Sequence, residues 1–182
     1  MLYVRLGEVL LALGSLARTG WMLRGVPAAI AESVSEHLFM SAIIAYELSM
    51  EARRAGFNVD PGRAVLIALS HDLAEAVIGD ISKRAGIEEA KVEAELRAYD
   101  VLDVSPDLKS LYQEYREGST LEAVIAGISD NLATYLKARF YERLGYRVGD
   151  IAEGSLRRAL ELASRRGLED IVRYMLGRLL QS

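Results

Sequence analysis

Apolar side chains recur at intervals of three and four residues along almost the whole chain, which is the pattern of amphipathic helices. No segment shows the strict alternation of apolar and polar positions that is typical of a half-buried strand. The sequence therefore predicts an all-α protein, a helical bundle without a sheet. We expect a single domain over residues 1–182, because no repeat, low-complexity tract or long linker divides the chain.

The first predicted helices are bounded by glycine and by a capping signal. The first helix has its apolar stripe at Leu2, Leu6, Val9, Leu10, Leu13 and Leu16. It ends near Gly20, and residues 24–31 form a connector. Ser33 and Glu36 then have the spacing of a capping box, which opens a helix that runs to about Ala55.

The later helices are predicted from similar signals. Asp60 and Pro61 supply an N-cap and a first helical position, so a helix is expected from there to about Val77, with a stop at Gly79. Segment 119–122 (Ser-Thr-Leu-Glu) is predicted as a second capping box. The remaining helices are expected at 87–103, 106–117, 121–144, 151–165 and 168–180.

Composition narrows the possible classes of protein. The chain of 182 residues is 51% hydrophobic and 26% charged, and its formal net charge is −4, which disfavours binding to nucleic-acid polymers. No apolar run approaches the roughly 18 residues of a membrane span, and no signal peptide is evident, so a cytoplasmic protein is predicted. Because cysteine is absent, any metal must be held by imidazole and carboxylate groups.

One segment combines apolar and ionisable residues in an unusual way. His71, Asp72 and Glu75 lie within residues 68–80, a stretch that otherwise has the composition of a buried helix. Burying such groups is costly unless they pair with one another or bind a metal. On a helix, Glu75 neighbours both other residues, being four and three positions away. The segment therefore indicates a cation site.

The other candidate ligands lie on neighbouring predicted helices. His37, the other of the chain's two histidines, falls in the first turn of its helix, and Asp130 interrupts a distant apolar stripe. A lone histidine on an apolar helix is more often a core group that is hydrogen-bonded than a metal ligand. Here both histidines lie beside carboxylates, so a metal site is favoured over that alternative.

These residues carry a resemblance to a known family. His37, then His71-Asp72, then Asp130 on an all-helical chain resemble the HD-domain metal-dependent phosphohydrolases. The segments 18–21 (Arg-Thr-Gly-Trp), 32–37 (Glu-Ser-Val-Ser-Glu-His), 71–75 (His-Asp-Leu-Ala-Glu) and 79–81 (Gly-Asp-Ile) are similar to those of the YfbR-like 5'-deoxynucleotidases and the HD domain-containing protein 2 group. The resemblance covers about residues 2–140 and does not extend to the C-terminal helices at about 151–180.

The resemblance implies a role for each matching residue. The implied metal ligands are His37, His71, Asp72 and Asp130. Glu75 would be the catalytic acid or base, and Asp80 would orient water or substrate. Arg18 would bind the phosphate, and Trp21 would line the sugar side of the pocket.

The loop after Asp80 departs from the family pattern. Bacterial members often have a proline–threonine segment there, whereas this chain has Ile81-Ser82-Lys83-Arg84. The resemblance therefore implies no contacts from that loop of this chain to the sugar and phosphate. Lys83 or Arg84 would contribute positive charge instead.

The resulting expectation is a phosphohydrolase that removes the 5'-phosphate from (deoxy)nucleoside monophosphates by metal-activated water. One divalent ion is expected, with Mn, Fe, Co, Ni, Zn and Mg all compatible with the ligands. The resemblance also implies a homodimer and a small-molecule nucleotide substrate. Two alternatives stay open: a hydrolase of another phosphate ester, such as a triphosphate or an alarmone, and a metal- or nucleotide-binding module without turnover.

Overall fold

The computed structural model describes residues 3–82 and 85–180, and within these ranges the chain is helical without a strand. The prediction of an all-α fold is confirmed. The helices are α1 (Leu6–Ser15), α2 (Thr19–Met22), α3 (Val34–Arg54), α4 (Pro61–Ser70), α5 (Glu75–Ile78), α6 (Glu88–Ala98), α7 (Pro106–Glu117), α8 (Leu121–Arg143), α9 (Gly149–Ser164) and α10 (Glu169–Leu180). In the described part of the chain, no helix is long and apolar enough to cross a membrane.

The centre of the fold is formed by α3, α4 and α8, which pack against one another. Their shared core includes Ala45, Leu48, Ile67, Ile128 and Leu132, all nearly or completely buried. Helix α9 packs along α8, and the last helix, α10, contacts α3, α8 and α9. The three central helices therefore give rigid positions to any side chains that face the space between them.

One of the two predicted capping boxes is observed, and the other is corrected. Ser33 Oγ accepts from the backbone N–H of Glu36, whose Oε2 accepts from Ser33 N at 2.7 Å, so this capping box is confirmed. The box predicted at 119–122 is wrong, because Thr120 rather than Ser119 caps α8. The Glu122 carboxylate instead accepts from Asp60 N at 2.8 Å, which ties the start of α8 to that of α4.

The helix predicted from Pro61 to Val77 is interrupted, and this correction matters for the site. α4 ends at Ser70, residues 71–74 form turns, and α5 resumes at Glu75. In an unbroken helix, the Ser70 carbonyl would accept from the backbone N–H four residues later. Here it accepts from Tyr99 Oη at 2.8 Å and from Leu73 N at 3.2 Å. The chain after Ser70 thus forms tighter turns in place of α-helical hydrogen bonds, at the point where Tyr99 donates to the Ser70 carbonyl.

Two further helix boundaries differ from the prediction. The helix predicted at 87–103 ends at Ala98, because Val4 N donates to the Val101 carbonyl at 2.8 Å and Asp103 N donates to the Val4 carbonyl at 2.9 Å. The first helix begins at Leu6 and lies on the surface, so Leu6 and Leu10 are half exposed rather than buried. Leu2, also assigned to that helix, lies outside the described residues.

Candidate active site

The four predicted metal ligands converge in the space between α3, α4 and α8; we call them the metal cluster (His37, His71, Asp72 and Asp130). Ligand atoms of His37, His71 and Asp72 lie within 4.8 Å of one another. Asp130 Oδ1 lies 3.0 Å from His37 Nε2 and 3.9 Å from His71 Nε2. The structure therefore brings together residues that are up to 93 positions apart in sequence.

The hydrogen bonding of His71 suits it for metal binding. Its Nδ1 lies 2.8 Å from the Ala68 carbonyl, which can only accept, so Nδ1 carries a proton. Among the described residues, buried Nε2 has no hydrogen-bond partner, although Asp72 Oδ2 is 3.3 Å away. A neutral imidazole that is protonated on Nδ1 presents a lone pair on Nε2. The donor set of two imidazoles and two carboxylates therefore fits a divalent cation.

The charges within the metal cluster are strongly coupled. Burial alone would lower the pKa of His71, but the carboxylates of Asp72 and Asp130 outweigh it and raise that pKa to about 9. At neutral pH a bound metal ion would therefore displace the proton on Nε2. Burial would raise the pKa of Asp72, but the charges of His71 and Arg18 hold it well below its usual range. Asp72 is therefore a carboxylate in the folded protein, as a metal ligand must be.

Tyr115 is a residue of the site that sequence reasoning assigned to the core or an interface. Its hydroxyl donates to Asp130 Oδ2 at 2.9 Å, while its ring lies 4.8 Å from that of His71. Burial and the charge of Asp130 raise the pKa of Tyr115, so the hydroxyl stays a donor. Tyr115 thus fixes one oxygen of Asp130 and leaves the other facing the histidines.

Glu75 lies beside the metal cluster in a second group, the lysine cluster (Glu75, Lys91, Glu95 and Tyr112). Lys91 Nζ donates to Glu75 Oε1 at 3.0 Å and lies 3.5 Å from Glu95 Oε1. Tyr112 Oη donates to the other oxygen of Glu95. Burial and the charges of Asp72 and Asp80 raise the pKa of Glu75 to about 9, against the opposing effect of Lys91. Glu75 is therefore suited to carry a proton near neutral pH.

Asp80 faces the cavity but is also held by α2. Its Oδ2 accepts from the backbone N–H of Thr19, and Thr19 Oγ1 donates to the Asp80 carbonyl at 2.6 Å. Gly79, with φ +79°, makes the turn that directs Asp80 there, a conformation that favours glycine. Asp80 thus joins the end of α5 to the turn that carries Arg18 and Trp21.

Arg18 and Trp21 are positioned by a short pairing between two loops. Arg18 N donates to the Glu32 carbonyl and Val34 N donates to the Leu16 carbonyl, both at 2.9 Å. Arg18 Nη1 lies 3.7 Å from Asp72 Oδ2, so the guanidinium borders the metal cluster. Trp21 is 2% exposed and packs on Tyr141, so it forms the cavity wall from within the core.

A cavity of about 640 Å³ connects these residues with α9. One end is lined by Arg18, Trp21, His71, Asp72, Glu75 and Asp80. The other end is formed by residues of α9, including Ser155, Arg157 and Arg158. The predicted contribution of Lys83 or Arg84 lies outside the described residues, whereas the basic side chains of α9 were not assigned to the site from sequence.

Three more residues of the site were missed by sequence reasoning. Lys91 and Glu95 lie in a helix interpreted as charged and amphipathic, yet Glu95 is only 3% exposed. Their spacing of four residues places the two side chains next to each other on a helix, and this was the available signal of an ion pair. Glu32, inside the quoted motif but without an assigned role, is 1% exposed. No sequence pattern indicates that a glutamate two residues before the start of a helix is buried.

The chain is similar to several known proteins. The HD domain family matches residues 12–159. Human 5'-deoxynucleotidase HDDC2 is 31% identical over 143 residues, which cover 75% of this chain and 66% of the human protein. The Dictyostelium discoideum protein of the same name is 29% identical over 150 residues and covers 78% of both chains.

Solved structures show the same fold. A protein of Pyrococcus horikoshii is 32% identical and superposes with a TM-score of 0.79 over 94% of this chain and 96% of its own. An HD-domain phosphohydrolase of Listeria innocua has a TM-score of 0.67 at 20% identity, over 98% and 90% of the two chains, a likeness of fold alone. With the sequence match, these likenesses confirm the resemblance, and the chain belongs to the HD domain family.

Proposed function

We propose that this protein is a metal-dependent phosphohydrolase that removes the 5'-phosphate from nucleoside monophosphates, with deoxynucleotides as the preferred class. The observation that carries the proposal is the metal cluster at the end of a cavity that also holds Arg18 and Glu75. In this cluster, Nε2 of His71 has no hydrogen-bond partner among the described residues. The relatives named 5'-deoxynucleotidase support the choice of substrate.

His37, His71, Asp72 and Asp130 are the proposed ligands of one divalent ion. Mn, Fe, Co, Ni, Zn and Mg are all candidates, because mixed imidazole and carboxylate ligands accept each of them. When bound, such an ion would polarise a phosphoryl oxygen and lower the pKa of a water molecule. The remaining residues would then bind the substrate and transfer protons.

Glu75 is the proposed proton-transfer residue. It lies three positions after Asp72, and in the tight turns observed here such residues stack above one another. The bond from Lys91 fixes one of its oxygens at 3.0 Å, so the carboxyl has a defined orientation in the cavity. A carboxyl with a pKa raised to about 9 can donate a proton to the leaving 5'-oxygen.

Arg18 is the proposed phosphate-binding residue. Burial alone would lower its pKa, but the charges of Glu32 and Asp72 raise it further above its ordinary value, so it stays a cation. Its planar fork suits two phosphate oxygens. Trp21 is proposed to line the sugar side of the cavity, and Asp80 to orient substrate through the turn that it shares with Thr19.

A substrate panel tests this proposal. The purified protein is incubated with each candidate ion and with deoxynucleoside and ribonucleoside 5'-monophosphates, triphosphates and a guanosine alarmone. Release of inorganic phosphate from monophosphates is expected, and Glu75→Ala should abolish it. Release of pyrophosphate or triphosphate would identify the alternative hydrolase instead. If no ester is hydrolysed with any ion, the protein is a binding module and the proposal is wrong.

We also propose a homodimer in the cytoplasm that does not bind nucleic-acid polymers. Phe39, Ile43 and Tyr46 lie at helical spacing on α3 and are 63, 52 and 46% exposed. Large apolar side chains that share one exposed helix face are typical of an interface. Light scattering tests the dimer, and Phe39→Glu should shift the mass to that of a monomer.

A further inference from the structure

Glu32 is a buried carboxylate between the metal cluster and the wall of the cavity. Its Oε2 accepts from Trp21 Nε1 at 2.9 Å. Its other oxygen, Oε1, lies 4.0 Å from His37 Nδ1. Among the described residues, neither Oε1 nor Nδ1 has a hydrogen-bond partner, although both are buried. Two unsatisfied groups of complementary type thus face each other across one small gap.

The backbone around Glu32 is held firmly, so the position of its carboxylate is defined. Glu32 N donates to Tyr141 Oη at 2.8 Å, and the same hydroxyl donates to the Ile30 carbonyl at 2.9 Å. The Glu32 carbonyl accepts from Arg18 N. The charge of Glu32 also acts on Arg18, whose side chain lies nearby. These contacts place Glu32 where the phosphate-binding residue, the aromatic wall and a metal ligand meet.

The position of the proton on His37 decides whether this histidine can bind a metal. Its Nε2 faces Asp130 at 3.0 Å, inside the metal cluster. If Nε2 bears the proton, it can donate to Asp130 but offers no lone pair. If Nδ1 bears the proton, Nε2 is free to bind a cation, and Nδ1 needs an acceptor on its other side. Glu32 Oε1 is the group that lies on that side.

We propose that Glu32 is a positioning residue that holds the Nδ1 proton of His37 with one oxygen and the indole of Trp21 with the other. It thereby couples the metal ligand to the cavity wall. The inference rests on the proposed metal binding by His37. Carboxylates behind metal-bound histidines fix the ring and its tautomer, and losing such a partner weakens metal binding by about 10- to 100-fold.

Glu32→Gln tests the proposal because glutamine has only one oxygen at this position. If the amide oxygen accepts from Trp21, the NH₂ group faces His37 and favours a proton on Nε2. If the oxygen turns to His37, two N–H groups face each other at Trp21. Metal affinity, measured by calorimetry with Mn²⁺ on the full chain, should fall by about 10- to 100-fold.

Trp21→Phe provides the matched control, because it removes the indole donor and leaves the glutamate. Its Mn²⁺ affinity should stay close to that of the wild type. In the double variant Glu32→Gln/Trp21→Phe, the amide oxygen is free to turn to His37, so the affinity should return close to that of Trp21→Phe. A variant weakened only by loss of charge or of packing would not recover in this way.

Nitrogen NMR reads the tautomer directly, because the chain has only two histidines and therefore four ring nitrogens. With Zn²⁺ bound, we expect a proton on Nδ1 of His37 in the wild type and a loss of this state in Glu32→Gln. His71, whose Nδ1 faces the Ala68 carbonyl at 2.8 Å, is the internal reference. This measurement on the wild type needs no folded variant.

The outcomes separate this inference from the proposed function. Unchanged affinity in Glu32→Gln, an unrecovered double variant, or an Nδ1 of His37 without a proton in the Zn²⁺-bound wild type would each overturn the role of Glu32. A wild type that binds no ion would overturn the metal site as well. A wild type that binds Mn²⁺ and shows the expected pattern, but hydrolyses no nucleotide, would support Glu32 and overturn only the enzymatic proposal.

Discussion

The metal cluster and the lysine cluster line the same cavity but balance their buried carboxylates differently. In the lysine cluster, Lys91 donates to Glu75 at 3.0 Å and lies 3.5 Å from Glu95, so the ammonium group of a lysine lies beside both carboxyl groups. In the metal cluster, the nitrogen of His71 that faces Asp72 makes no hydrogen bond to any described residue. The difference shows that acidic residues alone do not indicate a metal; a buried histidine nitrogen beside them that makes no hydrogen bond does.

The position of Lys91 also explains why one ion is proposed rather than two. Asp72, Glu75 and Glu95 have ligand atoms close enough for a second cation. The ammonium group of Lys91 already lies among them, and it also approaches the Ile81 carbonyl at 3.3 Å. A fixed cation at this position orients Glu75 for proton transfer without holding it on a metal.

Removing a carboxylate from the metal cluster should have the largest effect. Asp72→Ala leaves His71 and Arg18 without their nearest acid, so the affinity for Mn²⁺ should fall by more than about 100-fold, beyond the loss typical of an outer partner. Phosphate release should fall to background. Calorimetry and the phosphate assay measure the two effects. An Asp72→Ala protein that binds Mn²⁺ normally would contradict the assignment of the ligands.

Glu75→Gln should separate catalysis from metal binding. Glutamine keeps the shape of the side chain but cannot transfer the proton, so kcat should fall by about 10²- to 10⁴-fold. The affinity for Mn²⁺ should stay within about twofold, because Glu75 is not a proposed ligand. Calorimetry on the same sample is the control. A parallel loss of metal affinity would place Glu75 in the metal cluster instead.

Lys91→Met should lower kcat by about 10- to 100-fold, because a hydrogen bond to a charged group contributes about 1.5–3 kcal/mol. Metal affinity should be unchanged. Lys91→Arg is the matched control, since it keeps the positive charge and should retain more of the activity than methionine does. Steady-state kinetics at saturating substrate measures the effect. Equal losses in both variants would show that shape, and not charge, is what Lys91 supplies.

Glu36→Gln, outside both clusters, should have the smallest effect. The bond from Ser33 N lowers the pKa of Glu36 below its ordinary value of 4.5. Its ionised form therefore stabilises the fold above about pH 4.5, and this contribution is lost as the pH falls through the lowered pKa. At pH 7 the variant should lose about 0.5 kcal/mol of unfolding free energy, in the range of capping interactions.

Thermal unfolding measures this last effect. A loss of about 0.5 kcal/mol corresponds to a decrease in Tm of roughly 1–2 °C for a chain of this size. The difference between Glu36→Gln and the wild type should shrink toward pH 3. A difference that grows on acidification would show that the pKa of Glu36 is raised and not lowered. Metal affinity should not change, which separates the cap from the ligand that follows it, His37.

Several features of the site were predictable because they follow from local rules. His37 was assigned because it lies beside carboxylates in the first turn of a helix, and Asp130 because it interrupts an apolar helical stripe. The structure brings the two together, with His37 Nε2 3.0 Å from Asp130 Oδ1. Glu75 was expected beside His71 and Asp72 on a continuous helix. It does lie beside them, but in tight turns after the helix has ended. The roles proposed for these residues stay predictions, as does the single domain over residues 1–182.

The sequence by itself determined the longer helices, the caps at Ser33 and Asp60 and the residue types able to hold a cation, because periodicity and capping act within a few neighbouring residues. Only the tertiary structure decided where α4 ends, since the Ser70 carbonyl is taken by Tyr99, 29 residues away. It also decided which acids are compensated, because Lys91 reaches Glu75 from another helix and Glu32 meets His37 only after burial. Hydrogen bonding and charge between buried groups depend on distances in space, which the spacing of residues along a chain does not specify.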